Sequence, residues 1–190
     1  MATPKKNDAL KCLHDGLLDG CEYVPSPNSD ERPEGVGIEL IVIHNISLPP
    51  GDFGGDGVRQ LFTNTLDAAA HPYYASIAGL RVSAHFFIRR NGKIIQFVPC
   101  SKRAWHAGES SWQGSVRCND FSIGIELEGS DTVPFTGEQY SALHELTRAL
   151  CDAYPIRGIA GHSDIAPQRK TDPGPSFDWG RYLCALGNTN

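Results

Sequence analysis

The chain has 190 residues, 40 % hydrophobic and 21 % charged, a composition that folds as one domain and is far from that of a disordered chain. Seventeen Lys and Arg against twenty-two Asp and Glu give a net charge of −5, without the basic excess that non-specific nucleic-acid binding requires. Apolar runs are only a few residues long, against the ~20 needed to span a bilayer, so neither nucleic acid nor membrane is an expected partner.

Residues 1–22 read as an N-terminal arm. Lys5 and Lys6 imitate the start of a signal peptide, but Asn7, Asp8, Lys11, His14 and Asp15 break up any apolar segment of about 7–15 residues. The chain therefore reads as unexported and cytoplasmic. Its six cysteines (Cys12, Cys21, Cys100, Cys118, Cys151 and Cys184) contain no CxxC pair and are expected as thiols. Segment 24–37, with three prolines and two glycines, predicts a surface connector. Ile38–His44, IELIVIH, predicts a buried strand that runs into a loop, NISLPPGDFGGDG, too rich in Pro and Gly for regular structure.

Val58–Leu66 predicts a short helix. Ala84–Ile88 and Lys93–Val98 flank Arg89-Arg90-Asn91-Gly92, where Asn-Gly predicts a hairpin with a type I′ turn. Residues 99–121 read as a second long loop, and Ser122–Leu127, SIGIEL, as a strand. Gly137–Tyr154 carries Leu143, Leu146, Leu150 and Ala153 at helical spacing, with Thr136 as its N-cap. The sum is a single α/β (α+β) domain with a mixed central sheet flanked by helices.

Three places set ionisable groups beside apolar strands. His44 ends IVIH, Glu126 lies inside IGIEL, and GHSDIAPQRKTDPGP gathers His162, Asp164, Arg169, Lys170 and Asp172. Two imidazoles and a carboxylate with an open fourth position are the ligands of a catalytic zinc ion, which acidifies a water and polarises a carbonyl. The spacing alone leaves Asp164 and Asp172 as rival carboxylates and leaves open a purely structural reading of these side chains. His85, in the alternating VSAHFFI, reads as a buried, hydrogen-bonded histidine rather than a ligand. His71 and His144 read as surface or structural.

The strings VIHNISLPPGDFGG, AAHPYY, LRVSAHFFIRRNGKIIQFVPCSKRAWHAG, RCNDFSIGIELEG and GHSDIAPQRKTDPGPSFDW cover about residues 23–180. They resemble the zinc-dependent amidase_2 family, which includes phage T7 lysozyme and the peptidoglycan recognition proteins. The resemblance implies an amidase domain over 23–187. It also implies one Zn2+ per chain on His44, His162 and Asp172, Glu126 as general base and Lys170 as the cation that steadies the oxyanion. The implied reaction is hydrolysis of the amide between 1,6-anhydro-N-acetylmuramic acid and L-alanine of an anhydromuropeptide in cell-wall recycling, by a monomer. In some bacteria that anhydromuropeptide pool signals to β-lactamase control.

For the substrate, Arg81 and Arg117 match arginines that the family uses for stem-peptide carboxylates. Asn45 is expected to offer amide hydrogen bonds. Trp105, His106 and Ala107 are expected to wall the cleft, an aromatic face packing on the ligand and backbone groups binding the stem. Two other readings share the family's fold: a catalytically silent peptidoglycan-binding module, marked in the family by loss of a ligand, and an amidase acting on intact murein.

Overall fold

Successive side chains of a strand point to opposite faces, so a strand covered on both sides must be apolar at nearly every position. Leu40–Ile46 meets that demand and lies near the centre of a six-stranded sheet in the computed structural model, which describes residues 10–11 and 15–187. In chain order the strands are β1 (Glu22–Tyr23), β2 (Ser29–Glu31), β3 (Leu40–Ile46), β4 (Phe86–Ile88), β5 (Ile94–Gln96), β6 (Lys102–Ala104), β7 (Ser111–Trp112), β8 (Ser115–Val116), β9 (Ser122–Glu128) and β10 (Gly158–Gly161). The helices are α1 (Gly57–Phe62), α2 (Pro72–Ile77), α3 (Gly137–Ala153), α4 (His162–Ile165) and α5 (Trp179–Gly187). The main sheet has the order β1-β5-β4-β9-β3-β10 and is parallel except for the β4–β5 hairpin. The expected mixed sheet with flanking helices is thus present.

One face of the sheet presents Ile41, Ile43, Phe86, Ile88, Ile123, Ile125 and Leu127 to Leu143, Leu146 and Leu150 of α3 and to Tyr182 of α5. The start of α3 is locked by a reciprocal cap: Thr136 Oγ1 accepts from the Gln139 N–H, and Gln139 Oε1 accepts from the Thr136 N–H, each at 3.1 Å. Gln139 Nε2 also donates to the carbonyls of Ile88 and Glu128. The helix is thereby keyed to the ends of β4 and β9. The opposite face of β3 and β9 carries Leu40, Val42, His44, Ser122, Gly124 and Glu126, and the site is built there.

Several expectations change. The turn between β4 and β5 is not type I′: Arg89 O accepts from Gly92 N–H at 2.9 Å, and Gly92 alone of the four residues has positive φ, +79°. That is a type I turn followed by a left-handed glycine. It is dictated by docking, since the Arg90 N–H donates to Glu128 Oε2 at 2.9 Å and a Cβ on Gly92 would sit 2.9 Å from Glu138 O. Helix α1 stops at Phe62 because Asn64 turns left-handed (φ 59°) to exchange two 3.0 Å hydrogen bonds with Asn28.

The connector 24–37 is partly structural, with buried Asn28 and strand β2 paired to β6. The loop 99–121 likewise contains β6 and the β7–β8 hairpin. Most of the arm lies outside the described residues. Its residues 15–22 pack on the domain: Leu18 is buried in the core and Glu22 pairs with Ile95. No helix of the described residues is long and apolar enough to cross a membrane.

Thr136 Oγ1 also donates to Arg90 O at 2.7 Å, so one hydroxyl joins the hairpin turn to the helix cap. Thr136→Ala is expected to lower stability by about 1–2 kcal/mol in urea unfolding with an unchanged m-value. Wild-type stability in that variant would show that the cap carries no weight.

Candidate active site

In an open, mainly parallel sheet, the carboxyl ends of the strands leave a crevice in which side chains from separate strands meet. Here β3 and β10 pair with Ile43 opposite Gly161, so the next residue on each, His44 and His162, are neighbours. The loop after α4 returns to them, held by a 2.9 Å hydrogen bond from the Ser163 N–H to the Asp172 carbonyl. His44 Nδ1, His162 Nδ1 and Asp172 Oδ2 converge, at 2.9 Å (His44–His162), 3.0 Å (His44–Asp172) and 3.1 Å (His162–Asp172). Among the described residues they form the one cluster whose donor atoms suit a metal ion. Asp164 does not compete, because its Oδ2 accepts from the Gly161 N–H at 2.7 Å.

The remote nitrogen of each ring is already engaged. His162 Nε2 lies 3.0 Å from the Ala107 carbonyl, which only accepts, and His44 Nε2 lies 2.9 Å from His106 Nδ1. Protonating the facing Nδ1 atoms would bury an imidazolium. Burial opposes that, pulling His44 down to about 4. Two imidazole nitrogens and one carboxylate oxygen facing each other at such distances form a donor set that suits a cation. Two imidazoles with a carboxylate suit zinc, and leave a fourth position open.

Glu126 stands directly across from His44 in the β3–β9 register. It is buried, and its Oε2 has no hydrogen-bond partner. Burial, assisted by the charge of Asp172, pushes its carboxyl well above the usual range, while the Lys170 ammonium pulls the other way. Lys170 also acts on His44, which sets it at the same cleft. The five residues expected to bind metal and carry catalysis are therefore brought together.

The residues expected to bind substrate are dispersed. Asn45 follows the first ligand but donates to Asp131 Oδ1 at 2.7 Å. Arg81 is exposed and bonds to the carbonyls of Ala78 and Leu80. Arg117 pairs with Asp120 and lines a groove with Glu109, Ile165, Pro167 and Arg169, beside the ligand-bearing α4. Trp105 is held through its backbone by Ser83, and its side chain reaches Asp30.

His106 and Ala107 do not wall the cleft. His106 is buried behind His44 with both ring nitrogens taken, by His44 and Ser122. The Ala107 N–H is held by Asn119 and its carbonyl by His162 and Arg169. Ser122, Asn119 and Arg169 carry no sequence signal for that supporting role, which arises only from the fold.

The family model described as N-acetylmuramoyl-L-alanine amidase, Amidase_2, matches residues 34–175, and the chain belongs to that family. More particularly, it is 59 % identical over 172 residues to the 1,6-anhydro-N-acetylmuramyl-L-alanine amidase AmpD of Escherichia coli (strain K12), covering 90 % of this chain and 94 % of that one. A crystal structure of selenomethionine AmpD superposes with a TM-score of 0.89 at 58 % identity, covering 92 % of this chain and 98 % of the other. A complex of the amidase AmiD from E. coli with the substrate anhydro-N-acetylmuramic acid-L-Ala-D-gamma-Glu-L-Lys aligns at 34 % identity and a TM-score of 0.56, over 83 % of this chain and 61 % of that one.

Replacing His162 by Ala removes one of the three facing donors and leaves the core untouched. Metal analysis of that variant is expected to find zinc lost, with the circular dichroism of the wild type retained. A variant that keeps a full equivalent of zinc would contradict the ligand assignment.

Proposed function

We propose that this amidase hydrolyses the amide between 1,6-anhydro-N-acetylmuramic acid and L-alanine in soluble anhydromuropeptides, with one zinc ion held by His44, His162 and Asp172. The observation that carries the reading is the buried convergence of those three donor atoms, with Glu126 and Lys170 at the same cleft. It is supported by the near full-length likeness to AmpD and by the substrate in the AmiD complex. Zinc at that site would supply Lewis acidity and acidify a water.

The remaining chemistry belongs to the chain. Glu126, with a carboxylate oxygen free of hydrogen bonds, takes a proton from the attacking water as its oxygen bonds to the lactyl carbonyl carbon. The raised affinity of that carboxyl for protons suits it to hold the proton and pass it to the nitrogen as the C–N bond breaks, releasing the amine of L-alanine. Lys170 places a positive charge where the carbonyl oxygen becomes negative, an interaction that strengthens only in the transition state. Arg117, exposed on the groove beside α4, and the exposed Arg81 supply cations for the carboxylates of the stem peptide.

The same reading makes the chain a cytosolic monomer whose amidase domain is 23–187. By consuming anhydromuropeptides it would lower the pool that β-lactamase control senses in some bacteria.

Two experiments test this. Incubated with anhydro-N-acetylmuramyl peptide, the protein is expected to release free anhydro-N-acetylmuramic acid and a peptide beginning with L-alanine, and to act far more slowly on polymeric sacculi. Equal rates on both would contradict the substrate assignment. Glu126→Gln is expected to keep its zinc and lose about 10²–10⁴-fold in kcat. Loss of zinc in that variant would make Glu126 a ligand or its support rather than the base.

A further inference from the structure

A line of hydrogen bonds runs along the site face of the sheet, from the start of β9 to the candidate metal centre, and each link fixes the next. Ser122 Oγ lies 2.6 Å from the Cys118 carbonyl, which can only accept, so the hydroxyl proton is committed there. At 3.2 Å from His106 Nε2, that hydroxyl oxygen must then accept, which puts the His106 proton on Nε2 and leaves its Nδ1 as an acceptor. His44 Nε2, at 2.9 Å from this Nδ1, is therefore the donor, and His44 Nδ1 keeps a bare lone pair facing His162 and Asp172. The adjacent residue sets the other ring, since the Ala107 carbonyl accepts from His162 Nε2 at 3.0 Å.

The two residues are themselves pinned. Asn119 Oδ1 accepts both the His106 and the Ala107 N–H, at 3.2 and 2.8 Å. Arg169 Nη2 donates to the Ala107 carbonyl at 2.6 Å. The His106 ring lies against β9 at a position with no side chain: a Cβ on Gly124 would stand 2.6 Å from His106 Nδ1 and 2.7 Å from its Cδ2. A histidine buried only to fill space would not need its acceptor aimed at a ligand, nor a glycine beneath its ring.

We infer that His106-Ala107 is a positioning pair that fixes both imidazole ligands as Nε2–H tautomers, so that both Nδ1 lone pairs face one point. The pair acts through His44 and His162. Ser122 and Gly124 serve His106, the first by setting its proton and the second by making room for its ring. This inference rests on the proposed zinc site. Groups in such supporting positions tune metal affinity by about 10–100-fold.

The test uses the full chain and two readouts other than turnover: zinc affinity by competition with a chelator, and imidazole ¹⁵N chemical shifts before and after zinc is added. In the zinc-free wild type, His44 and His162 are expected as Nε2–H tautomers, and zinc is expected to shift their Nδ1 signals. His106→Phe keeps a ring but removes the acceptor, and is expected to weaken zinc binding about 10–100-fold and to abolish the single His44 tautomer. His106→Asn, which returns an acceptor near the Nδ1 position, is expected to recover most of that loss. Gly124→Ala is expected to resemble His106→Phe although it removes no polar group. A zinc-free wild type with His44 or His162 protonated on Nδ1 would overturn the inference, whether or not the variants fold. Wild-type zinc affinity in folded His106→Phe would overturn it while leaving the zinc site standing. A wild type that binds no zinc would overturn the proposed function and this inference together.

Discussion

Three electron-rich atoms, two imidazole nitrogens and one carboxylate oxygen, face each other across about 3 Å in a site from which most water is excluded. With each ring carrying its proton on Nε2, as inferred above, three lone pairs face each other, and lone pairs held so close repel. Protonating a ring would relieve the repulsion only by burying a charge, which costs several kcal/mol unless it is fully compensated. A divalent cation resolves the conflict more completely, drawing all three atoms to one centre and using the burial to strengthen each contact. The rest of the molecule reads as the apparatus that holds this unfavourable gathering together.

That apparatus begins with strand register. Ile43 opposite Gly161 and His44 opposite Glu126 bring His44, His162 and Glu126 together toward the carboxyl ends of three adjacent strands, with β3 in the middle. The far face of those strands is buried on α3 and α5, so the register cannot slip by a residue without turning Ile41, Ile43, Ile123 and Ile125 away from the core. Behind the cleft, Arg32 donates to the carbonyls of Cys100, Asn119, Asp120 and Ser122, and so stiffens the segment that carries Asn119 and Ser122. Burial sets the electrostatics as well. It pulls His44 down to about 4 and raises Glu126, which favours a neutral His44 ring and a carboxyl with a high affinity for protons.

Much of this was legible in the chain itself. IELIVIH and SIGIEL are apolar runs that only a buried strand explains, and Thr136 before a helical repeat of leucines marks where α3 begins. His44 and Glu126 stood out as ionisable groups set in apolar strands, whereas the choice of Asp172 over Asp164 came from the family resemblance. The shorter elements were not legible. Strands β2 and β6 have little apolar pattern and exist through pairing across more than seventy residues, and the Asn-Gly turn was decided by Glu128 and Glu138 rather than by its own preference. His106 was misread for a related reason. A histidine beside a tryptophan in a glycine-flanked loop suggests a ligand-facing wall, and only the tertiary fold turns it inward onto His44.

The central claim is that one cation sits where His44 Nδ1, His162 Nδ1 and Asp172 Oδ2 meet. Anomalous diffraction at the zinc absorption edge, from crystals of the zinc-loaded protein, tests it directly. The account predicts a single strong peak within about 2.0–2.2 Å of all three atoms. A peak bonded to the Nε2 atoms, or one lying away from this triad, would contradict it.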